Sequence, residues 1–380
     1  MASKFLLWTI RVLALCMALV SVLPEVPSGQ WWIRLWEFPR LQLAWALLLP
    51  LALLAVHAWW KRPRKEHAAW LGIILAAGIW QLSHILPFTP VWQPEVPDAE
   101  THPNKAGVTF KVMTANVTYT NDHYSEVLEL VRHEDPDLLL TLEIDSEWNE
   151  GLAPLNERYA HRIGEVRGEG LGMVLWSKFP LLEQEIKYLV SERRPSIFTT
   201  LDIPGIGPVR YVGIHPVPPG LRDRIARNDQ TSERRDSRVR DAELMLVARE
   251  VEEDADNRWI VTGDFNDVAW SDTTQLFADL TDLKDPRRGR RLLATYHAQH
   301  PLWRYPIDHL FVSDGFHLAD FGRQRVFGSD HFAITATLAV ANKDNAKPRA
   351  SAEEAERARE MVEEGFEDAA EHEVSSPPSD

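Results

Sequence analysis

Three long apolar segments near the start of the chain constrain its fold more than any other feature. Residues 5–23, 41–60 and 68–87 are each 19 or 20 residues long and consist mostly of Ala, Leu, Val, Ile and Trp. A helix of about 20 apolar residues crosses the roughly 30 Å hydrocarbon core of a bilayer. Tryptophans lie at several segment ends, as they do where helices leave a membrane. The sequence therefore predicts a three-helix transmembrane anchor over residues 1–87.

The short turn between the second and third segments predicts the orientation of the anchor. Residues 61–65 read Lys-Arg-Pro-Arg-Lys, and short loops with this much positive charge stay in the cytoplasm. We therefore expect a multi-pass protein of the cell (inner) membrane whose remaining chain lies on the periplasmic or extracytoplasmic side. Arg11 interrupts the first segment, so a cleaved signal peptide is the alternative for that segment. Both alternatives predict the same orientation.

The rest of the chain divides by composition into three parts. Residues 88–107 are rich in proline and predict an extended linker, and residues 108–342 predict a globular domain. Residues 343–380 are rich in acids and predict a disordered tail. The single cysteine excludes a disulfide-stapled domain or a multi-cysteine metal site. The net charge of −15 argues against a protein that coats duplex nucleic acid.

Strand-like and helical patterns follow one another in mixed order through the globular part. Short apolar runs typical of strands occur at residues 110–117, 138–144, 173–176, 208–214, 260–262, 307–312 and 333–338. Helical patterns occupy residues 124–133 and 236–252. Several runs follow one another without a helix between them, which favours an α/β sandwich over a strict alternation of strands and helices.

Polar side chains stand where these apolar runs end. They are Asn116, Glu143, His215, Asp264, Asn266, Asp308, Asp330 and His331. Taken singly, such residues often cap a turn. As a set, they are predicted to converge on one rim of the sandwich. Carboxylate and amide oxygens are the ligands that Mg²⁺ or Mn²⁺ prefers.

The motifs around these residues resemble those of the endonuclease/exonuclease/phosphatase superfamily, also called DNase I-like, and they occur in the same order. The most diagnostic are Gly-Asp-Phe-Asn at residues 263–266 and Ser-Asp-His at residues 329–331. The resemblance implies a four-layer α/β sandwich. In this chain the sandwich would follow the three transmembrane helices predicted from the apolar segments. The resemblance also implies a metal-dependent phosphoric ester hydrolase, in a membrane-anchored member of bacterial type.

The same resemblance implies which residues hold the metal. Glu143 would bind Mg²⁺ or Mn²⁺, with Asn116 and Asp330 close by. The metal would polarise a phosphoryl oxygen during in-line attack by water.

It also implies roles for five catalytic residues. Asp264 would orient and deprotonate the water. Asn266 and His215 would donate hydrogen bonds to the phosphoryl oxygens. His331, oriented by Asp308, would complete the phosphate clamp. No covalent enzyme intermediate is expected.

The substrate is the least constrained part of the prediction. A nuclease is favoured; the alternatives are a phosphodiesterase or phosphatase acting on lipid head groups or small molecules, or a catalytically idle binding module. Arginines at 222–240 and at 287–291 could grip a polyanion or could lie on a solvated face. The bilayer is the one partner predicted besides the phosphoester substrate, and no protein partner is indicated.

Overall fold

The computed structural model describes residues 2–62, 65–99, 108–219, 236–340 and 349–371. Helices α1 (Ala2–Val22) and α5 (Lys65–Ile85) form the first and third apolar segments. The second segment consists of α3 (Arg40–Ala46) and α4 (Leu48–Lys61), and the four-residue helix α2 (Trp31–Arg34) precedes it. Among the described residues, three stretches are long and apolar enough to cross a membrane: Ser3–Glu25, Arg40–Lys61 and Lys65–Phe88.

The three apolar helices contact one another through a small core of their own. Ile10 and Ala14 of α1 meet Leu54 of α4 and Ile74 of α5 in this core. The charge that interrupts the first segment also has a partner, because Arg11 Nη2 lies 2.7 Å from Glu66 Oε2. Both contacts tie α1 to the other two apolar helices.

Two mixed sheets form the body of the remaining chain. The strands are β1 (Thr109–Asn116), β2 (Leu138–Leu142), β3 (His161–Glu165), β4 (Met173–Ser177), β5 (Leu181–Lys187), β6 (Ser196–Ile203), β7 (Gly207–Ile214), β8 (Trp259–Asp264), β9 (Asp308–Val312), β10 (Phe316–Arg325) and β11 (Phe332–Val340). One sheet has the order β10-β11-β1-β2-β4-β3, and the other has the order β5-β6-β7-β8-β9.

Helices cover the outer faces of both sheets. They are α6 (Tyr124–Glu134), α7 (Ser146–Gly151), α8 (Arg238–Glu253), α9 (Asp272–Thr281) and α10 (Ala352–Glu371). The largest core lies between the sheets and joins side chains such as Leu140, Ile197 and Leu338. Helices α6 and α7 contribute to a second core on the six-stranded sheet, while α8, α9 and α10 contribute to a third on the five-stranded sheet. The predicted four-layer α/β sandwich is confirmed.

The segment predicted as an extended linker is not a free tether where the structure describes it. Phe88 is buried against Trp270, and Val96 is buried in the core between the sheets. The backbone of residues 97–99 exchanges two hydrogen bonds with Leu318 of β10. Apolar side chains between the prolines therefore fix residues 88–99 to the domain, and residues 100–107 lie outside the described part.

The prediction of a disordered tail is wrong for residues 352–371, which form α10. Its narrow apolar face, with Ala355, Ala358 and Met361, packs on α8 and α9. Ser351 caps the helix, and its backbone N–H and hydroxyl both donate to Glu354. The small alanine side chains are enough to bury this face because the surface of α8 lies close to it. The acid-rich composition of the segment gives no sign of this packing. Residues 343–348 and 372–380 of the predicted tail lie outside the described residues.

The loop between the first two apolar helices also docks on the domain, through a cluster of buried charges. We call Arg34, Glu37, Arg240, Asp241 and Asp267 the buried charge cluster. Arg34 pairs with Glu37 at 3.0 Å, and Arg240 pairs with Asp241 at 2.6 Å and with Asp267 at 3.3 Å. Two hydrogen bonds join the loop to the domain: Arg34 Nη2 donates to the Thr273 hydroxyl at 2.6 Å, and Trp270 Nε1 donates to the carbonyl of Glu37 at 2.6 Å. The loop and the domain therefore lie at the same end of the helices, opposite to the end where α4 stops at Lys61 and α5 starts at Lys65.

Candidate active site

The strand directions place the ends of four strands at one edge of the sandwich. β1 runs parallel to β2, and β7 runs parallel to β8, so each pair ends on the same side. Asn116 ends β1, Glu143 follows β2, His215 follows β7 and Asp264 ends β8. The two sheets touch just before this edge, where the hydroxyls of Thr114 and Thr262 lie 2.7 Å apart.

Two antiparallel strands begin at the same edge and add two more polar residues. Asp308 is the first residue of β9 and pairs with Asp264 in the ladder. His331 immediately precedes β11, which runs antiparallel to β1. The edge therefore combines strand ends with strand starts, and six of the eight predicted site residues meet there.

Asn116 joins two carboxylates. Its buried amide donates to Glu143 Oε1 at 2.9 Å and to Asp264 Oδ2 at 3.2 Å. Its oxygen accepts the backbone N–H of Thr118 at 3.0 Å, which fixes the amide plane. The second oxygen of Glu143 accepts the N–H of Tyr119 at 3.0 Å. One amide thus holds both carboxylates within reach of a single ligand.

Two imidazoles face the same carboxylate. Asp264 Oδ2 lies 3.6 Å from His331 Nε2 and 3.7 Å from His215 Nε2. His331 Nδ1 lies 2.9 Å from Asp308 Oδ2. All four side chains are buried, so these charges interact through little water.

Burial and neighbouring charges shift the protonation of this group. Burial raises the pKa of Asp264 to about 7; the Asp308 charge acts in the same direction, and His331 opposes it. Burial lowers the pKa of His331, but the charges of Asp308 and Asp264 outweigh it and raise that pKa to about 10. At neutral pH the His331 side chain is an imidazolium, while Asp264 is close to its midpoint.

Asn266 lies beside the central carboxylate. Its backbone N–H donates to Asp264 Oδ1 at 2.9 Å, and its amide donates to the carbonyl of Pro216 at 3.0 Å. Its own carbonyl accepts from Arg240 at 2.9 Å, which connects the site to the buried charge cluster.

Asp330, predicted near the metal, belongs to a neighbouring hydrogen-bonded group. The Thr118 hydroxyl donates to its carboxylate at 2.6 Å and lies 2.9 Å from the Ser329 hydroxyl. The Ser329 hydroxyl donates in turn to the carbonyl of Asn116 at 2.8 Å. Asp330 is therefore linked to Asn116 through hydroxyl groups rather than by a direct contact.

Three residues in and beside the site have unusual backbone conformations. Thr118, Glu143 and Asn266 have φ of 60°, 65° and 52°, in the left-handed region that residues other than glycine seldom adopt. Such conformations cost about 1–3 kcal/mol each and persist where the surroundings impose them. Gly263 has φ of 153°, and a Cβ there would lie 1.8 Å from the carbonyl oxygen of Ile214. The glycine before Asp264 is thus required by the close approach of β7.

The donor atoms fit a hard divalent cation. Ligand atoms of Asp264, Asp308 and His331 lie within 4.8 Å of one another. Asp308 Oδ1 is buried and has no hydrogen-bond partner in the described part of the chain. His331 is unsuited as a ligand in its protonated form. Glu143, held by the Asn116 amide, offers the carboxylate oxygens that Mg²⁺ or Mn²⁺ prefers.

The arginines at 287–291 hold the fold together and are not free to grip a substrate. Arg287 is fully buried and pairs with Asp285 at 2.7 Å. Arg288 and Arg290 pair with acidic side chains of the segment 95–98. The interpretation of this cluster as a polyanion site is therefore wrong.

The described arginines of the cluster at 222–240 are also engaged within the fold. Arg238 pairs with Asp236 at 2.8 Å and with Asp368 of α10 at 2.6 Å. Arg240 belongs to the buried charge cluster. The cluster's remaining arginines, at 222–235, lie outside the described residues.

Sequence reasoning missed two groups that support the site. Thr118 has no motif of its own, and only its position two residues after Asn116 could have drawn attention to it. Arg240 was considered for substrate binding, whereas it donates to the backbone of Asn266.

Comparisons with known proteins add a family assignment and several similar structures. A family model described as the endonuclease/exonuclease/phosphatase family matches residues 113–331. Among solved structures, an endonuclease/exonuclease/phosphatase from Beutenbergia cavernae has 20% identity over 63% of this chain and 73% of that chain, with a TM-score of 0.48. TDP2 from C. elegans has 16% identity over 62% and 77%, with a TM-score of 0.48. The human Nocturnin catalytic domain with bound sulfate has 15% identity over 67% and 100%, with a TM-score of 0.46. No curated protein matches the sequence.

Proposed function

The chain belongs to the endonuclease/exonuclease/phosphatase family, and on that premise we propose that it is a membrane-anchored, divalent-metal-dependent phosphodiesterase. The observation that carries the proposal is the arrangement around Asp264. This buried carboxylate is joined to Glu143 by one amide and faces two imidazoles, one of which is paired with a second aspartate. Such a group can hold a cation, a water molecule and a phosphoryl group side by side.

Glu143 would hold Mg²⁺ or Mn²⁺, with Asn116 and Asp330 on either side. A divalent cation there would polarise a phosphoryl oxygen and neutralise the charge that develops on it. Two hydrogen bonds to Glu143, from Asn116 and from the backbone of Tyr119, fix its carboxylate before any ligand arrives. This preorganisation supports a role in binding rather than in proton transfer.

Asp264 would orient and deprotonate the attacking water. A pKa of about 7 suits a general base that works near neutral pH. His215 and the second amide N–H of Asn266 would donate to the non-bridging oxygens. His331, kept protonated by Asp308, would stabilise the negative charge of the transition state.

Two classes of phosphoester are candidates for the substrate. The sequence favours nucleic acid, and a lipid head group is the alternative. The arginine contacts described above remove one argument for nucleic acid, since Arg287, Arg288 and Arg290 are engaged within the fold. An idle binding module is a weaker proposal, because Asp264, His215, His331 and Asp308 are all present and lie close together at one edge of the sandwich.

We place the domain outside the cytoplasm. The basic turn at 61–65 lies at the end of the anchor opposite to the domain, and such a turn favours the cytoplasmic side. A reporter fused after residue 371 should therefore be active only if it functions in the periplasm, and cytoplasmic activity would contradict the orientation.

The full chain in nanodiscs, assayed on bis(p-nitrophenyl) phosphate with Mg²⁺ or Mn²⁺, tests the proposed chemistry. Asp264→Asn should lower kcat by about 10²–10⁴-fold, the usual contribution of a general base. Asp320→Asn, on the exposed part of β10, is the matched control and should keep full activity. A chelator should abolish activity, and added metal should restore it. A folded, fully active Asp264→Asn variant, or activity that survives chelation, would contradict the proposal.

A further inference from the structure

A hairpin beside the candidate site presents two exposed apolar side chains. Tyr296 and Tyr305 pair as antiparallel neighbours, and His297 N–H donates to the carbonyl of Trp303 at 3.1 Å. At the hairpin tip, Leu302 is 78% exposed and Trp303 is 57% exposed. Large apolar side chains at such a tip lose favourable burial unless another surface covers them.

This tip lies at the end of a membrane-spanning helix. Gln42 Nε2 donates to the carbonyl of Leu302 at 2.9 Å. The ring of Phe38 meets that of Tyr305 edge to face, with centroids 5.6 Å apart. The candidate span Arg40–Lys61 begins between these two contacts. Leu302 is 241 residues from the end of that span in sequence, so the fold brings it to the level where the helix enters the bilayer.

Three arginines lie on the same side, around the ring of Phe332. Arg304, Arg323 and Arg325 have guanidinium carbons 5.1, 4.2 and 5.5 Å from the ring centroid. We call them the arginine patch. Within the described residues none of the three forms an ion pair with an acidic side chain, in a chain whose net charge is −15. Arg304 and Arg323 each donate to a backbone carbonyl, of Ala298 and Ala294, which leaves their positive charge unneutralised. Like charges close together repel one another, so a bound anion would relieve them.

The patch and the hairpin both adjoin the candidate site. Tyr296 pairs with His331 as well as with Tyr305, and Phe332 is the next residue in the chain. Neighbouring strands lie about 5 Å apart, so the paired residues Tyr296 and Tyr305 at the base of the hairpin lie within about 10 Å of His331. The polar region of one leaflet is roughly 5–8 Å thick. A head group in the leaflet that receives the span therefore lies within reach of the site.

We propose that the hairpin tip and the arginine patch form a second contact with the bilayer, a surface that binds anionic lipid head groups and holds the entrance of the site at the head-group plane. The inference rests on the proposed membrane anchoring and deepens the proposed function, because it selects a phosphoester carried in the leaflet over one that arrives from solution. Two observations support this occupant. The apolar tip continues the surface of the span, and the arginines, which have no acidic partner among the described residues, complement anionic head groups.

A fluorescent label at the tip tests the contact without any need for turnover. In a Cys16→Ser background, Trp303→Cys carries an environment-sensitive fluorophore in full-length protein reconstituted in nanodiscs. Leu182→Cys is the matched control, being 46% exposed on β5 at the far edge of the other sheet. The emission of the label at 303 should shift to shorter wavelength, and its fluorescence should be quenched by doxyl lipids. The label at 182 should show neither effect. Equal, water-like signals at both positions would overturn the proposal.

Lipid charge tests the arginine patch. Quenching at 303 should increase by several-fold when phosphatidylglycerol replaces about a third of the phosphatidylcholine. The combined change Arg304→Gln, Arg323→Gln and Arg325→Gln should remove this increase. Quenching that is independent of lipid charge in both proteins would overturn the assignment of the patch. Loss of quenching on addition of a short single-stranded oligonucleotide, only in the protein with the arginines, would assign the patch to nucleic acid. Hydrolysis of bis(p-nitrophenyl) phosphate by the unlabelled chain tests the proposed function separately.

Discussion

The buried carboxylate of Glu37 should make the protein less stable at alkaline pH, and Glu37→Gln should remove that loss. The side chain is 1% exposed and pairs with Arg34 at 3.0 Å. Burial and the nearby Asp267 favour its neutral form, Arg34 opposes them, and the balance raises the pKa of Glu37 to about 7 from 4.5. A raised carboxyl pKa means that the folded state binds a proton more tightly than the unfolded chain.

The sign and size of the effect follow from proton linkage. The stabilisation is fully present below the unfolded pKa of 4.5 and disappears as the pH rises through about 7. Each unit of pKa difference corresponds to about 1.4 kcal/mol, so the charged Glu37 should lower the free energy of unfolding by about 3 kcal/mol above pH 7. Glutamine keeps the shape and an acceptor for the N–H of Asp272 but has no proton to lose. The variant should therefore gain about 3 kcal/mol over the wild type between pH 4.5 and pH 8.

Thermal unfolding of the full chain in nanodiscs measures this gain. Tryptophan fluorescence is a suitable signal, because Trp270 Nε1 donates to the carbonyl of Glu37 at 2.6 Å. The variant should melt roughly 5–10 °C above the wild type at pH 8 and within a few degrees of it at pH 5. Glu185→Gln, at an exposed position on β5, should show no such pH dependence. A Glu37→Gln variant that melts below the wild type at pH 8 would refute the reasoning, since Arg34 would then require the charge.

Two further predictions concern the site and the domain boundaries. Asp308→Asn removes the main charge that raises the pKa of His331. The alkaline limb of the pH profile of kcat/KM should therefore move to lower pH. An unchanged limb would show that protonation of His331 does not control the rate. A chain cut to residues 108–340 loses α10 and the docked segments, which exposes apolar side chains such as Trp270. It should aggregate or melt well below the full chain, and equal melting temperatures would show that the flanking segments add no stability.

The convergence of the candidate site residues could be predicted because their signals are local. Each follows or precedes a short apolar run, and the runs at 110–117, 208–214 and 260–262 correspond to β1, β7 and β8. Strand β5, by contrast, was missed because most of its side chains face solvent and leave no apolar run.

The partners of the arginines could not be predicted because they lie far away in sequence. Arg238 meets Asp368 across 130 residues, and Arg290 meets Asp98 across 192. Without these distant partners in view, a cluster of arginines in the sequence resembled a surface that binds substrate. For the same reason α10 resembled a disordered tail, since its alanine face becomes apparent only against α8.

The segment at residues 97–99 protects the end of the six-stranded sheet. Strand β10 is the outermost strand there, and an uncovered outer strand offers its N–H and C=O groups to strands of other molecules. At Leu318 both groups are already taken, by the carbonyl of Pro97 at 2.8 Å and the N–H of Ala99 at 2.9 Å. Under the proposed anchoring, copies in one membrane would meet often and in similar orientations, which makes strand-to-strand aggregation a particular hazard. The stretch that follows the third apolar helix thus also closes the backbone of β10 at Leu318 to pairing with a neighbouring copy.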